Sequence, residues 1–382
     1  MLKVPINYDE EKVKVKKYPE LLVTHQGLKI DTKELWRAEK RQELLDIFAS
    51  CIFGKAPTYS LDVEFEVISE DSEWLNGRAI RSEIKIFPLG KKNDAVLTLK
   101  LYLPKGPDIR HSVFLGANFL GNDFIESDHE RWPLEFIINS GFGVATFFYG
   151  DIEKDNPTGW IKGIRGKCLQ LSGKQKILDD DWGAIAAWAW GLSRAMDYLS
   201  INPVIDTTKV VLIGHSRLGK AALWAAAVDE RFAAVISNNS GTGGAKLLRR
   251  NFGESIESIT KEFPHWFARN FEAYALDIDS LLVDSHCLLA LVAPRPLYVA
   301  SASDDLWADP RGEFLAAQLA STVYELFGYK GIDKELDFPP LNTVIGDVVG
   351  YHCRSGTHGI TPYDWGRYIE FAQRHFGGSH GS

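Results

Sequence analysis

Cysteine and methionine are scarce in this chain, which has 4 Cys and 2 Met among its 382 residues. The cysteines are widely spaced and form no Cys-x-x-Cys pair, so the sequence excludes a disulfide scaffold and indicates no zinc site of the usual spacing. They are Cys51, Cys168, Cys287 and Cys353. Free buried thiols are favoured, and Cys287 with Cys353 is the pair to test for a single bridge, because both lie beside histidines.

An excess of basic side chains is absent as well. Lys and Arg number 43 against 51 Asp and Glu, a net charge of −8, which gives no electrostatic footprint for nucleic acid or an anionic membrane. No apolar run approaches the about 18 residues of a membrane span, and the N-terminal residues lack the apolar segment of an export signal. The compartment therefore stays open between the cytoplasm and export with a signal that has been removed.

What the chain does contain is the composition of an ordinary globular protein, with 45% hydrophobic and 25% charged residues. Aromatic residues make up 12% of the chain and include 11 Trp. Core packing accounts for most of them, and sugar-binding clefts are another common use of such side chains. The length allows two or three domains, although α/β folds of this size often form one unit.

The N-terminal part of the chain predicts an extension over residues 1–17, ahead of a single domain over residues 18–382. Asp31, with Glu34 three residues later, predicts the N-cap of a helix that runs to Phe48. Alternating apolar and polar residues then predict antiparallel strands at the front of the domain. These are Leu61–Ile68, Ala79–Phe87 and Ala95–Leu103.

Beyond residue 110, short apolar strands alternate with longer helical patterns, which is typical of a mostly parallel sheet covered by helices. The strands are Ser112–Leu115, Gly143–Phe148, Val210–Ile213, Val235–Ser237 and Leu297–Ala300, and the longest helix is Asp181–Leu199. A segment around 241–296, rich in aromatic and charged residues, is predicted to be an insertion within the same domain. The fold class is therefore α/β, with an antiparallel N-terminal edge.

The strongest chemical signal is the turn Gly214-His215-Ser216-Arg217-Leu218-Gly219, which follows an apolar strand and precedes an Ala-rich helix. This pattern is typical of a nucleophile elbow that exposes a serine at the end of a sheet, with a helix N-terminus that favours developing negative charge. The second glycine stands three residues after Ser216 instead of two, so a purely structural turn is the alternative.

A nucleophilic serine needs an acid and a base, which in such folds follow it in the order Asp or Glu, then His. Asp305 follows the apolar strand that ends at Ala300, with Asp304 and Asp309 as competing acids. Asp309 directly precedes Pro310, a pattern typical of a helix start.

Histidines near the C-terminus offer the base. His352 and His358 are both predicted in a Gly-rich loop ahead of the last helix, from which a side chain can reach back over the sheet. Of the two, His358 is the better base, and His352 is predicted to pack within the loop. His215 is predicted to pack under the elbow, and His265 and His286 to be structural.

Several motifs together carry a family resemblance. They are Gly-His-Ser-Arg-Leu-Gly-Lys at 214–220, Ser-Gly-Thr-Gly-Gly-Ala at 240–245, Phe-Pro-His-Trp-Phe at 263–267, Asp-Leu-Trp-Ala-Asp-Pro at 305–310 and Gly-Tyr-His at 350–352. Over residues from about Tyr18 to Phe376, the chain resembles a bacterial glucuronoyl esterase of carbohydrate esterase family 15, in the α/β-hydrolase superfamily. That family carries the same late glycine after its serine.

The resemblance implies a three-layer α/β/α sandwich and a serine esterase. The implied reaction hydrolyses the ester between (4-O-methyl)glucuronic acid of glucuronoxylan and lignin alcohols, with Ser216, His358 and Asp305 as the triad and no metal or organic cofactor. The family places its acid either after the strand that follows the nucleophile or after a later strand. The first position is Asn239 here, which cannot carry the charge, so Asp305 is left as the acid.

Groups for the oxyanion are also implied. Arg217, next to the nucleophile, is expected to place a guanidinium beside the oxyanion, in addition to backbone N–H groups. The stretch Gly116–Asn122 occupies the place where hydrolases supply a second backbone N–H.

Three more residues match family positions that hold the uronic acid ring: Lys220, Glu254 and Trp307. The alternatives from the residues alone are a solvated Lys220 and a salt bridge from Glu254 to Arg249 or Arg250.

Two other functions stay open on the sequence. One is removal of acetyl groups from xylan or another carbohydrate, and the other is a catalytically inactive carbohydrate-binding homologue, which the aromatic content and Asn239 would suit. The expected partner is a glucuronoxylan or glucuronate ester substrate and not a nucleic acid or a membrane, and the protein is expected to be a monomer.

Overall fold

The structure is a computed structural model that describes residues 6–14, 16–57, 62–106, 110–173 and 176–377. Its strands are β1 Glu64–Asp71, β2 Ala79–Phe87, β3 Leu97–Pro104, β4 His111–Asn118, β5 Gly143–Phe148, β6 Ile205–His215, β7 Ala234–Asn238, β8 Leu297–Ala302 and β9 Val349–Arg354. Its α-helices are α1 Lys33–Leu35, α2 Arg41–Phe48, α3 Trp74–Gly77, α4 Leu134–Asn139, α5 Tyr149–Ile152, α6 Ile164–Leu171, α7 Ala184–Ile201, α8 Arg217–Val228, α9 Ile256–Glu262, α10 Asn270–Ala273, α11 Ser285–Ala290, α12 Pro310–Leu326 and α13 Pro362–Phe376.

Within these ranges the strands form one nine-stranded sheet in the order β1-β2-β3-β5-β4-β6-β7-β8-β9. Strands β1 to β3 pair antiparallel, and β3 also runs antiparallel to β5. From β5 through β4 and on to β9, every neighbouring pair is parallel. The α/β-hydrolase architecture with an antiparallel N-terminal edge, predicted from the sequence, is confirmed.

Helices cover the two faces of the sheet, because the parallel strands are apolar on both. Alternate residues of β6 point to opposite faces, so Val211 joins one core cluster and Leu212 the other. Helices α7, α8 and α12 pack on the Leu212 side, and α4 and α13 pack on the Val211 side. These three layers hold the carboxyl ends of the parallel strands along one edge of the sheet.

Some predicted boundaries shift in the structure. The first helical stretch is capped by Thr32 and not by Asp31, because the Thr32 hydroxyl accepts a hydrogen bond from the Leu35 N–H at 3.2 Å. That stretch continues through two π-helical turns to Phe53, beyond the predicted end at Phe48. The predicted strand start at Leu61 lies outside the described residues.

The four cysteines are free thiols, so Cys287 and Cys353 are not bridged. Cys51 is partly exposed, and the other three thiols are buried. In the described ranges, no helix combines the length and the apolar character that crossing a membrane requires.

The segment 241–296 connects β7 to its neighbour β8 and carries α9, α10 and α11. Its backbone is joined to the rest of the domain at several points. The Ala184 N–H donates to the His265 carbonyl at 2.9 Å, and the Ala268 N–H donates to the Ile52 carbonyl at 2.9 Å. The segment is therefore hydrogen-bonded to the start of helix α7 and to the helical stretch that contains Ile52.

His352 corrects one prediction, because it lies within strand β9 and not in the loop. It is fully buried, and its two ring nitrogens contact the Tyr298 hydroxyl and the Asp364 carboxylate, each at 2.9 Å. Asp364 also accepts a hydrogen bond from Arg354 at 2.9 Å. Although burial disfavours its charged form, the bonds and charges of His352 and Arg354 hold the pKa of Asp364 below its ordinary value.

We expect Asp364→Asn to lower the free energy of unfolding by about 3–5 kcal/mol at pH 7, because it leaves the buried Arg354 without its carboxylate. Urea unfolding checks this, with Asp347→Asn as the control, since Asp347 is an exposed partner of Arg374 and its loss costs at most about 1 kcal/mol.

The pH dependence of this effect has a defined sign. A carboxylate with a lowered pKa stabilises the fold above its unfolded-state pKa of about 3.9, and the contribution is lost as pH falls through the folded-state pKa. The difference between wild type and Asp364→Asn should therefore shrink in acid. Equal stability of the two proteins at pH 7 would contradict this account of the cluster.

Candidate active site

Ser216 stands at a sharp turn between β6, which ends at His215, and α8, which begins at Arg217. Its backbone has φ 56° and ψ −130°, a conformation that residues other than glycine adopt only under strain. The turn is tied to the neighbouring strand, because the Ser216 N–H donates to the Asn238 carbonyl at 2.9 Å. This is the geometry of a nucleophile elbow, which presents the serine hydroxyl above the sheet.

Each of the two glycines of the turn is required for a different steric reason. A Cβ on Gly214 would lie 2.1 Å from the Leu218 carbonyl oxygen, so helix α8 can begin where it does only over a glycine. A Cβ on Gly219 would lie 3.0 Å from the Gly214 carbonyl oxygen and 3.0 Å from the Ser240 Cβ. The second glycine therefore serves the close approach of α8 to β6 and to the loop after β7, which explains its late position.

Asp305 and His358 meet at the same edge of the sheet, one after β8 and the other after β9. The His358 Nδ1 lies 2.6 Å from the Asp305 Oδ2, and the Asn239 side-chain amide donates to the same oxygen at 2.8 Å. Asp305 is buried, which opposes ionisation, but the hydrogen bond and charge of His358 and the Asn239 amide hold its pKa below the ordinary value. Asp305 is therefore a carboxylate oriented toward one histidine.

The His358 ring lies beside the elbow. Its centroid is 4.6 Å from that of His215, the residue before Ser216. His215 is buried and contacts the Asn238 amide oxygen at 2.6 Å, and burial together with the charge of His358 lowers its pKa to about 3. His215 thus stays neutral and packs under the turn, as the sequence predicts.

The competing acids have other surroundings. Asp304 is exposed on the surface. Asp309 caps α12, where its side chain accepts from the Gly312 N–H at 3.0 Å, and it also pairs with Arg250. Asp309 is therefore a helix cap, as Pro310 after it predicts.

The loop that carries His358 is held by Arg354. The Arg354 guanidinium donates to the carbonyls of Thr357 and Gly359, at 2.9 and 3.0 Å, on either side of the histidine. Because Asp364 holds the same guanidinium, the buried cluster described above also fixes the position of His358.

Arg217 is held in place by Asp155, a residue that the sequence reasoning missed. The guanidinium pairs with the Asp155 carboxylate and packs between the rings of Phe119 and Trp266, with centroids at 5.6 and 5.1 Å. Asp155 also accepts a hydrogen bond from the Trp266 indole at 2.7 Å and contacts the His265 Nε2 at 2.8 Å. His265 thus has a structural contact within the site, and Arg217 is fixed from three sides.

Lys220, Glu254 and Trp307 lie together, as the family positions imply. The Trp307 indole donates to Glu254 at 2.9 Å, and the Lys220 Nζ lies 3.7 Å from the other Glu254 carboxylate oxygen. Lys220 is only 4% exposed, so the alternative of a solvated lysine is wrong. Arg249 and Arg250 pair instead with carboxylates other than that of Glu254, namely Asp284, Asp309 and Glu10.

The loop of residues 239–242 connects these groups. Its contacts are the Asn239 amide with Asp305, the Ser240 carbonyl with Lys220, the Gly241 N–H with Glu313 at 3.0 Å and the Thr242 N–H with Glu254 at 3.3 Å. A single loop therefore sets the positions of the acid and of the charged pair beside it.

Glu313 is the second residue that the sequence reasoning missed. It is fully buried in α12, and it accepts hydrogen bonds from the Ser301 hydroxyl at 2.6 Å and from the loop. Burial raises its pKa to about 8. An acid on the buried face of a helical pattern was a usable sequence signal, whereas Asp155 could be suggested only by its position shortly after strand β5.

Comparisons with known proteins agree on one family. A family model described as glucuronyl esterase, fungi, matches residues 125–328. The carbohydrate esterase MZ0003 of an unknown prokaryotic organism is 42% identical to this chain over 97% of the chain and 92% of that protein. A 4-O-methyl-glucuronoyl methylesterase of Phanerochaete carnosa is 34% identical over 52% of each chain.

A solved structure shows the same fold in detail. The glucuronoyl esterase from Solibacter usitatus superposes with a TM-score of 0.92 at 40% sequence identity. The match covers 96% of this chain and 100% of that one.

Two glycine substitutions should have opposite effects on stability. We expect Gly214→Ala to lower the melting temperature strongly, at a cost of about 1–3 kcal/mol or more, because the new Cβ meets backbone 2.1 Å away. In Gly366→Ala, within α13, the new Cβ meets no heavy atom within 4 Å outside the backbone of its own helix, so this variant should be more stable by up to about 1 kcal/mol. Thermal unfolding of both variants checks this; an unchanged melting temperature for Gly214→Ala would refute the steric account of the elbow.

Proposed function

Because the chain belongs to the glucuronoyl esterases of carbohydrate esterase family 15, which are carboxylic ester hydrolases, we propose that Ser216, His358 and Asp305 are its catalytic triad. The proposed substrate is the ester between (4-O-methyl)glucuronic acid of glucuronoxylan and a lignin alcohol. The observation that carries the proposal is the 2.6 Å contact of His358 with the buried Asp305, beside the strained turn at Ser216.

In the proposed acylation step, the His358 Nε2 takes the Ser216 proton as Oγ attacks the carbonyl carbon of the ester. Asp305 holds Nδ1, which fixes the ring orientation and stabilises the imidazolium that forms. The tetrahedral intermediate then collapses, and His358 gives the proton to the departing alcohol. The uronate is left as an acyl ester on Ser216.

The negative charge on the carbonyl oxygen of this intermediate needs donors that are already in place. Arg217 supplies a guanidinium whose position is fixed by Asp155, and the first N–H groups of α8 supply the N-terminal end of a helix. The segment after β4 is proposed to add a backbone N–H, since Phe119 in that segment contacts both Arg217 and His215.

The uronic acid ring is proposed to bind against the group that Trp307, Lys220 and Glu254 form together. Glu254 can accept hydrogen bonds from ring hydroxyls, Lys220 can donate to them, and Trp307 offers an apolar ring face with a polar indole edge. Water then attacks the acyl-enzyme with His358 as the base, which releases the uronic acid and restores the Ser216 hydroxyl.

Residues 18–382 are proposed to act as one catalytic domain.

The proposal is tested by hydrolysis of benzyl glucuronate beside acetylated xylan and feruloyl esters, with Ser216→Ala as the blank. We expect turnover of the glucuronate ester to exceed that of the other esters and to vanish in Ser216→Ala. Faster release of acetate would favour an acetylxylan esterase. Failure of a serine-reactive organophosphate to label the protein, or labelling that survives Ser216→Ala, would indicate a catalytically inactive homologue.

Neighbouring aspartates provide a matched test of the acid. We expect Asp305→Asn to lower kcat by about 10³–10⁴, because the amide removes the charge behind His358 and alters its preferred tautomer. Asp304→Asn changes an exposed carboxylate one residue away and should leave kcat within about twofold of wild type. Equal activity of both variants would assign the acid to another residue.

A further inference from the structure

The N-terminal segment is fastened to the site, although the sequence predicts only an extension over residues 1–17. The Gly253 N–H donates to the Asn7 carbonyl, and the Asn7 amide donates to the Asn251 carbonyl, both at 2.8 Å. The Lys14 N–H donates to the Asn251 side chain at 2.9 Å, and Glu10 pairs with Arg250. Residues 7–14 thus lie along residues 250–253 as a strap.

The residues under the strap lead directly into the substrate site. Gly253 has φ 59°, and a Cβ there would lie 2.4 and 2.5 Å from the carbonyl oxygens of Leu306 and Trp307. The next residue, Glu254, donates its N–H to the Trp307 carbonyl at 2.9 Å and accepts from the Trp307 indole. Asn7 is therefore hydrogen-bonded one residue away from the proposed acceptor of sugar hydroxyls.

Tyr8 is the aromatic residue that the strap brings to this place. Its ring meets the Phe252 ring edge to face, with centroids 6.1 Å apart, while 48% of the residue stays exposed. Partial burial raises the pKa of the Tyr8 phenol, and the carboxylates of Asp305 and Glu254 raise it further. The phenol thus lies within the electrostatic reach of both carboxylates, at the rim of the proposed site.

We infer that Tyr8 forms an aromatic contact with the xylose units to which the uronic acid is attached. The inference rests on the proposed function and extends it to the carbohydrate beyond the uronate. A tyrosine side chain suits a sugar, because its ring face packs against C–H groups and its hydroxyl bonds to water or sugar hydroxyls.

We place Tyr8 on the glycan side of the substrate, and not on the side of the departing alcohol, because of the residues to which the strap is attached. Its hydrogen bonds run through Asn7 and Gly253 to Glu254, which is proposed to hold the ring hydroxyls of the uronate. The alcohol leaves toward His358, whose loop is held by Arg354, and none of the strap's hydrogen bonds named above goes to that loop.

The test compares three methyl or benzyl esters with wild type, Tyr8→Ala and Tyr8→Phe. The substrates are methyl glucuronate, benzyl glucuronate and the methyl ester of glucuronic acid linked to xylotriose. We expect Tyr8→Ala to raise KM for the xylotriose-linked ester about three- to tenfold more than for methyl glucuronate. Tyr8→Phe keeps the aromatic ring, so its KM for the xylotriose-linked ester should stay close to that of the wild type.

Tyr329→Ala is the matched control, because Tyr329 is similarly exposed at 43% and follows α12. It should leave the ratio between the two esters unchanged, and melting temperatures confirm that the variants are folded. A Tyr8→Ala defect of equal size on both methyl esters, or one that depends on benzyl against methyl, would overturn the inference. Absence of turnover by the wild type on all three esters would instead refute the proposed function.

Discussion

The candidate site depends on the in-register pairing of four parallel strands. His215 pairs with Asn238, Asn238 with Ala300, and Ala300 with His352, so β6, β7, β8 and β9 reach the edge of the sheet at nearly one level. The residues that follow each strand therefore emerge side by side. The backbone ladder thus places the serine, the loop after β7, the aspartate and the histidine loop side by side, although 142 positions separate the serine from the histidine.

Local sequence patterns predict the position of a residue correctly where that position depends on a single strand or turn. The apolar strand and the small residues around Ser216 predict the elbow, and Asp309 before Pro310 predicts the cap of α12. Glycines at positions 350 and 356 flank His352 and predict a loop there, yet pairing with β8 extends strand β9 through Arg354. Asp155 binds Arg217 and Glu313 binds the Gly241 N–H, each more than 60 positions away, so a local pattern can mark Glu313 as a buried acid but cannot identify these partners.

Charges near the serine are paired in advance of any substrate. Arg217 has Asp155, Lys220 has Glu254, and Asp305 has an amide in addition to the histidine. Such fixed groups do not have to reorganise as charge develops during a reaction, which is the main way a protein lowers an electrostatic barrier relative to water. The net charge of −8 therefore says little about the site, where the field is set by a few oriented pairs.

The strap also constrains the order in which the molecule can be completed during synthesis. Asn7 finds its partner 244 positions later, at Asn251, and Pro19 finds the His286 ring 267 positions later. At a ribosomal rate of about 5–20 residues per second, Asn7 is made about 12–50 s before Asn251. The rim of the site therefore cannot be completed until the chain has been made past residue 253, although one side of that rim consists of residues 7–14.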